Sequence, residues 1–149
     1  MKTQKIYLQN ESKNANVPKK KDFKKWADLS ILKNKNAQIT IRLVSESESQ
    51  SLNAQFRQKE APTNVLSFPY ENTAKIVCGD LAICPAIVER EAQEQGKTLF
   101  SHYAHLTIHG ILHLQGFDHE TESDAKQMEL LEIQLLQSLA IPNPYENPR

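Results

Sequence analysis

The stretch "HGILHLQGFDH" at 109–119 sets His109, His113 and His119 around Gly116, in a chain that holds only 5 histidines. Residues four apart on a helix share a face, so His109 and His113 project side by side if this segment is helical. Gly116 supplies the left-handed backbone that ends a helix, and the returning chain can bring His119 toward the first two rings. Three neutral imidazoles gathered this way hold a tetrahedral zinc ion and leave one coordination position open, as catalytic rather than structural sites do. Each histidine alone could be a hydrogen-bonded core residue, but that reading accounts poorly for three at these offsets around one glycine. His102 and His105 fall outside the pattern. His105 precedes His109 by one turn, so it either supports the site or simply packs.

The same spacing overlaps the zinc-peptidase pattern H-E-x-x-H-x-x-G-x-x-H. His109, His113, Gly116 and His119 occupy its ligand and glycine positions, whereas Gly110 stands where a peptidase carries its glutamate base. The scaffold is metzincin-like, and the carboxylate that would activate water on a peptide is missing.

The elements that must position these rings follow from periodicity and punctuation. "KIYLQNE" at 5–11 and "AQITIRLVS" at 37–45 alternate as strands do, and "NVLSFPY" at 64–70 and "GDLAIC" at 79–84 read as two more. Pro69 suggests an edge position for the third. Helices are expected from 22, with Phe23, Trp26, Leu29 and Leu32 on one face, and from 47, with Leu52 and Phe56. Pro85 opens a further helix that Gly96 ends. A longer helix runs from about Thr98 through Gln115 to the Gly116 cap. Thr121 with Asp124 starts the last one, whose stripe is Met128, Leu131, Leu135 and Leu139, and Pro142 stops it. The tail "PNPYENPR" reads as extended and fraying. The order predicts an α+β fold, a small mixed sheet of about four strands packed with helices, in one domain spanning 1–149.

Composition, 39% hydrophobic and 24% charged, is ordinary for a globular domain. The N-terminus lacks an apolar signal-type core, and no run approaches the roughly 20 apolar residues of a membrane span, so the expectation is a cytoplasmic protein without a membrane. Cys78 and Cys84 would lie about 20 Å apart along a strand, beyond the roughly 7 Å that a disulfide allows. They read as buried thiols. The net charge of zero hides an asymmetry: residues 1–60 carry 13 basic and 6 acidic groups, residues 61–149 carry 5 and 12. The run "KKKDFKK" at 19–25 is either a surface for nucleic acid or a solvated helix face.

"HGILHLQGFDHE", together with "FRQKEAPTNVLSFPYE" at 56–71 and "CGDLAICP" at 78–85, resembles the YbeY family of bacterial single-strand-specific endoribonucleases and ribosomal RNA maturation factors. The resemblance runs from about residue 40 to 135. Phe117 stands where family members typically have Tyr, which removes a hydroxyl and no ligand. The resemblance implies a zinc ion on His109, His113 and His119 and a functional arginine at Arg57. It further implies maturation of the 3′ end of small-subunit (16S) rRNA and ribosome quality control, with the small subunit, a ribosomal protein and a ribosome-associated GTPase as partners.

That chemistry is coherent. Zinc lowers the pKa of bound water to about 7 or polarises a phosphoryl oxygen, and a guanidinium can grip two such oxygens as negative charge develops on them. Arg57 is the candidate for phosphate binding and transition-state stabilisation, and Lys59 is either a second phosphate contact or an ordinary exposed lysine. Asp80 and Asp118 are candidates to orient a ligand imidazole, although either could equally serve a turn or sheet end. The nucleophile is water or the RNA 2′-hydroxyl. Imidazoles also suit nickel, cobalt, copper and iron. Two further readings stay open: a non-enzymatic ribosome assembly factor with a structural or vestigial zinc site, and a metal-dependent peptidase or esterase, against which Gly110 counts.

Overall fold

The computed structural model describes residues 4–32, 35–70, 75–118 and 120–146. Among them run β1 (Gln4–Asn10), α1 (Lys20–Ser30), β2 (Asn36–Leu43), α2 (Glu46–Arg57), β3 (Val65–Pro69), β4 (Ile76–Ile83), α3 (Pro85–Gln95), α4 (Leu99–Leu114) and α5 (Glu122–Gln137). The sheet order is β1-β2-β4-β3. The first three strands in that order are parallel, and β3 pairs antiparallel with β4 as an edge strand, where Pro69 is tolerated. The fold is α+β with a mixed four-stranded sheet, as predicted. No helix among the described residues is long and apolar enough to cross a membrane.

Strand alternation decides which face is core. Ala37, Ile39, Ile41 and Leu43 of β2 and Val77, Leu81 and Ile83 of β4 are buried on one face, under α1 and α4. Phe23 and Trp26 of α1 and Tyr103 of α4 fill that layer, with Phe23 edge-on to both other rings at 5.4 and 6.0 Å. A smaller cluster, Val44, Leu66, Ala82, Cys84 and Ile87 with Leu52 and Phe68, lies under α2 and the start of α3.

Helix α4 is the central element. It touches α1, α3, α5 and the sheet. From Ser101 to Leu114 every residue is buried except Ser101, His105, His109 and His113, which recur every fourth position. That spacing draws a single less-buried line along the helix, and three imidazoles occupy it. The helix approaches the sheet closely because glycine allows it. A Cβ on Gly110 would sit 2.8 Å from Leu81 Cδ2, and one on Gly79 would sit 2.6 Å from Leu114 Cδ2 and 2.8 Å from the Phe68 carbonyl. Gly110 therefore faces β4, where a larger side chain would have to displace Leu81.

Helix ends largely follow the sequence signals. Pro85 opens α3, Gly96 closes it with φ 67°, and Thr98 and Thr121 accept from the backbone N–H of Ser101 and Asp124. Gly116 adopts φ 98°, with its N–H bonded to His113 O and that of Phe117 to Leu112 O. That pair of bonds closes α4 in a Schellman arrangement. Helix α1 stops sooner than its apolar spacing predicts. Ser30 Oγ bonds back to Trp26 O, and the Gln115 amide binds both Ser30 O and Leu32 N–H at 2.8 Å, so Leu32 leaves the helix and is exposed. Neither cysteine is in a disulfide, as the spacing predicts, but only Cys84 is buried, because Cys78 points to the opposite, less covered face of β4.

Candidate metal centre and cleft

The less-buried line of α4 opens on a cleft of about 1130 Å³, which also takes in the end of α2, strand β3 and part of β4. His105, His109 and His113 line it together with Arg57, Asp80, Asp118 and Tyr145. The rings of His109 and His113 meet edge to face with centroids 4.6 Å apart, as the four-residue spacing requires. His119 lies outside the described residues.

The deepest group behind these rings is Glu132 of α5, whose side chain is fully buried. His109 Nδ1 hydrogen-bonds one of its oxygens, while the Tyr145 hydroxyl and His105 Nε2, the latter at 3.4 Å, meet the other. Burial by itself would raise the pKa of the Glu132 carboxyl, but the hydrogen bonds and charge of His105 and His109 outweigh it and hold the value at about 2. An ionised carboxylate only accepts, so His109 must carry its proton on Nδ1 and offers Nε2 to an ion. Burial keeps His105 below the ordinary histidine range against the pull of Glu132, so that ring is neutral near pH 7.

His105 Nε2, His109 Nδ1 and a Glu132 oxygen also lie within 4.8 Å of one another, a group that could itself hold a metal ion. In the hydrogen-bonded arrangement the protons on both rings already occupy that space. Glu132 then stands behind the His109 imidazole, the position from which a carboxylate orients a ring. Sequence spacing missed Glu132 and Tyr145. Of the tail expected to fray, 147–149 lie outside the described residues, and 142–146 instead turn back, held by Lys97 Nζ on Pro144 O at 3.1 Å, and deliver Tyr145 to the site.

Arg57 is the last residue of α2, and its position is set by an unusual helix exit. Gln58 takes a left-handed conformation at φ 54°, a local cost of roughly 1–2 kcal/mol for a residue other than glycine. Buried Asn53 donates to Ala61 O at 2.8 Å, and buried Ser49 pins Thr63 through both its N–H and its carbonyl at 2.9 Å. The loop after Arg57 is thereby tied to the helix before it. Lys59, within that loop, is exposed and is not among the residues lining the cleft. Asp80 accepts from the hydroxyl of exposed Tyr70, and both line the cleft. Asp118 accepts from the Glu120 N–H at 3.1 Å and so fixes the turn after Gly116.

Comparison with known proteins matches this arrangement to one family. A family model described as endoribonuclease YbeY matches residues 7–140. The endoribonuclease YbeY of Colwellia psychrerythraea is 49% identical over 137 residues, covering 87% of this chain and 88% of that protein. The one from Nitrosococcus oceani is 45% identical over 148 residues, covering 95% and 97%. The solution structure of TM1509 from Thermotoga maritima superposes with a TM-score of 0.56 at 28% identity, covering 96% of this chain and 97% of that one. The matched region contains the histidine line of α4, the buried glutamate of α5 and every cleft-lining residue except Tyr145, and with these matches the chain belongs to the endoribonuclease YbeY family.

Proposed function

We propose that this protein is a zinc-dependent endoribonuclease that cuts single-stranded RNA, acting in maturation of the 3′ end of 16S rRNA and in ribosome quality control in the cytoplasm. On this reading the small ribosomal subunit, a ribosomal protein and a ribosome-associated GTPase are its partners. The observation that carries the reading is the meeting of Arg57 with His109 and His113 in one cleft of a chain from this family.

His109, His113 and His119 would hold the ion, and the donor set suits it, since neutral imidazoles backed by a carboxylate are a common zinc environment. When bound, zinc supplies Lewis acidity at a phosphoryl oxygen and lowers the pKa of water. The remaining work falls to the chain itself. Arg57 grips the scissile phosphate and neutralises charge that grows on its oxygens, in a fork geometry that lysine cannot reproduce. Glu132 holds the proton on His109 Nδ1 and fixes the orientation of that ring. Asp118 keeps the turn after Gly116 in shape, and Asp80 steadies Tyr70 in the cleft wall. Peptidase chemistry finds no support at position 110, which faces Leu81 rather than the cleft.

The test uses purified protein with a single-stranded RNA substrate. His113→Ala should lose both metal and cleavage, and Arg57→Glu should lose cleavage while keeping metal. Wild-type protein should turn over more than one equivalent of RNA and leave unfolded polypeptide intact. Unchanged cleavage by both variants would trace the activity to a contaminant, and turnover limited to one equivalent would favour a non-enzymatic assembly factor.

A further inference from the structure

The three parallel strands β1, β2 and β4 have one face under α1 and α4, and their other face is largely bare. Parallel sheets are almost always covered on both faces, because their strands arise from crossover helices. Here α2 and the start of α3 cover only the β3–β4 end of the second face, through Leu52, Leu66 and Ile87. Over β1 and β2 no helix among the described residues lies on it. The pairing register aligns Lys5 with Gln38, Tyr7 with Thr40 and Gln9 with Arg42, so these six side chains share that face. Tyr7 is 44% exposed there, a large ring left in solvent on a strand.

The chemistry of the bare face selects among partners. It carries one aromatic ring, two amides, a hydroxyl and two cations, and no aliphatic side chain, so it lacks the apolar centre of a protein–protein interface. A single strand of nucleic acid needs rings for its bases to stack on, amides and hydroxyls for base edges and sugars, and cations for phosphates. The face is also continuous with the cleft. Arg42 and Asp80 belong to it by register, and both line the cleft, along with the exposed rings of Phe56 and Tyr70. A path therefore runs from His109 and His113 over the edge strand β3, past Phe56 and Tyr70, to Tyr7.

We propose that this open sheet face is a binding platform for the single-stranded RNA that flanks the scissile bond, with Tyr7 stacking on a base beyond the cleft. The inference rests on the endoribonuclease reading and adds where the substrate lies. Arg42 is already shared with Glu11 at 2.8–2.9 Å, and the Asp80 carboxylate adds negative charge, so stacking rather than charge dominates on this face. The contribution of Tyr7 should accordingly vary little with salt, unlike that of phosphate contacts.

The experiment measures binding of uncleavable 2′-O-methyl RNA strands, one short enough to fill only the cleft and one several times longer, at low and high salt. Wild-type protein should bind the longer strand more tightly. Tyr7→Ala should weaken the longer strand by about 10-fold or more at both salt concentrations, with the short strand unaffected and Tyr7→Phe close to wild type. Thr40→Glu, which adds a carboxylate at the centre of the face, should weaken the longer strand as well, and an unchanged melting temperature would show that both variants fold. Equal affinity of wild type for the two lengths, or an unaltered Tyr7→Ala, would overturn the platform and leave the cleft intact. Failure of wild type to bind either strand would overturn the endoribonuclease reading with it. Self-association of the protein that Tyr7→Ala abolishes would assign the face to a second copy instead.

Discussion

Helix α4 carries two histidine–glutamate pairs of the same chemistry in different surroundings. At its first turn His102 Nε2 meets Glu91 of α3 at 2.9 Å, and further along His109 Nδ1 meets Glu132 of α5. Each carboxylate has a third partner, Asn64 Nδ2 at 2.9 Å for Glu91 and the Tyr145 hydroxyl for Glu132. Burial would raise both carboxyls, but their hydrogen bonds and the nearby positive charges together outweigh it and hold both below their ordinary range, through His102, Asn64 and Lys97 for Glu91 and through His105 and His109 for Glu132. The difference lies in what the far side of each imidazole reaches. The side chain of His102 is 4% exposed, and its Nδ1 is buried without a hydrogen-bond partner among the described residues. That of His109 is 23% exposed and lines the cleft. The same pair is thus enclosed in one place and opens on the cleft in the other, and only the outlet of the ring separates them.

The sharpest way to test that contrast is to neutralise each carboxylate in turn. Glu132→Gln keeps the shape and removes the charge that fixes the proton on His109. Metal affinity, read by competition with a chromophoric chelator, should fall about 10- to 100-fold, as for other carboxylates behind metal-ligating histidines, and RNA cleavage should fall with it. Glu91→Gln should leave metal affinity and cleavage as they are and cost about 1–2 kcal/mol of stability in urea unfolding, the size of a weakened charged hydrogen bond. Equal loss of metal in the two variants would erase the distinction between the pairs.

Acid titration separates them next. A carboxyl with a lowered pKa in the folded state contributes stability that is fully present above its unfolded pKa, near 4.5 for glutamate. That stability is lost as the pH falls through the folded value. Both contributions therefore start to decline below about pH 4.5, and that of Glu132 goes on declining to about pH 2. In metal-free protein, the fall of unfolding free energy with acid should be shallower in Glu132→Gln across this whole window. Glu91→Gln should show the smaller change. A variant whose acid slope matched wild type would place its carboxyl at an ordinary pKa.

How much of this was legible beforehand differs sharply along α4 and α5. The caps at Pro85, Gly96, Thr98, Gly116 and Thr121 are local chemistry, so the sequence predicts them and the structure has them. The pairing of His109 with His113 is likewise local, a matter of helical pitch. Glu132 is not. The stripe Met128, Leu131, Leu135 and Leu139 predicts the buried side of α5 only approximately, because the fully buried row is Met128, Glu132 and Leu136. A glutamate four residues from each of two buried apolar side chains was the available sign of a buried charge, but its partners sit on another helix. Tyr145 depends on how the tail folds back, which no periodicity encodes. Arg57 stood out only through family resemblance, since the turn that sets it uses a left-handed Gln58, where glycine or asparagine would have been the recognisable signal.

The smallest expected effect concerns the third partner of the site pair. Tyr145→Phe removes one hydroxyl and keeps the ring that walls the cleft. The carboxylate oxygen it served would then rely on His105, whose contact at 3.4 Å is at the outer limit of a hydrogen bond. Glu132 would be less well satisfied but still held by His109 through its other oxygen. The cost should be about 1 kcal/mol in urea unfolding, with a loss of metal affinity well short of that in Glu132→Gln. The contrasting change is Asn64→Ala, which takes the amide from Glu91: it should cost a similar stability and leave metal affinity alone. If Tyr145→Phe lowers stability while metal affinity stays at wild type, the tail fastens the fold just as Asn64 does. If both quantities fall, the returning C-terminal segment helps to aim His109, and α5 and the tail act on the ring together.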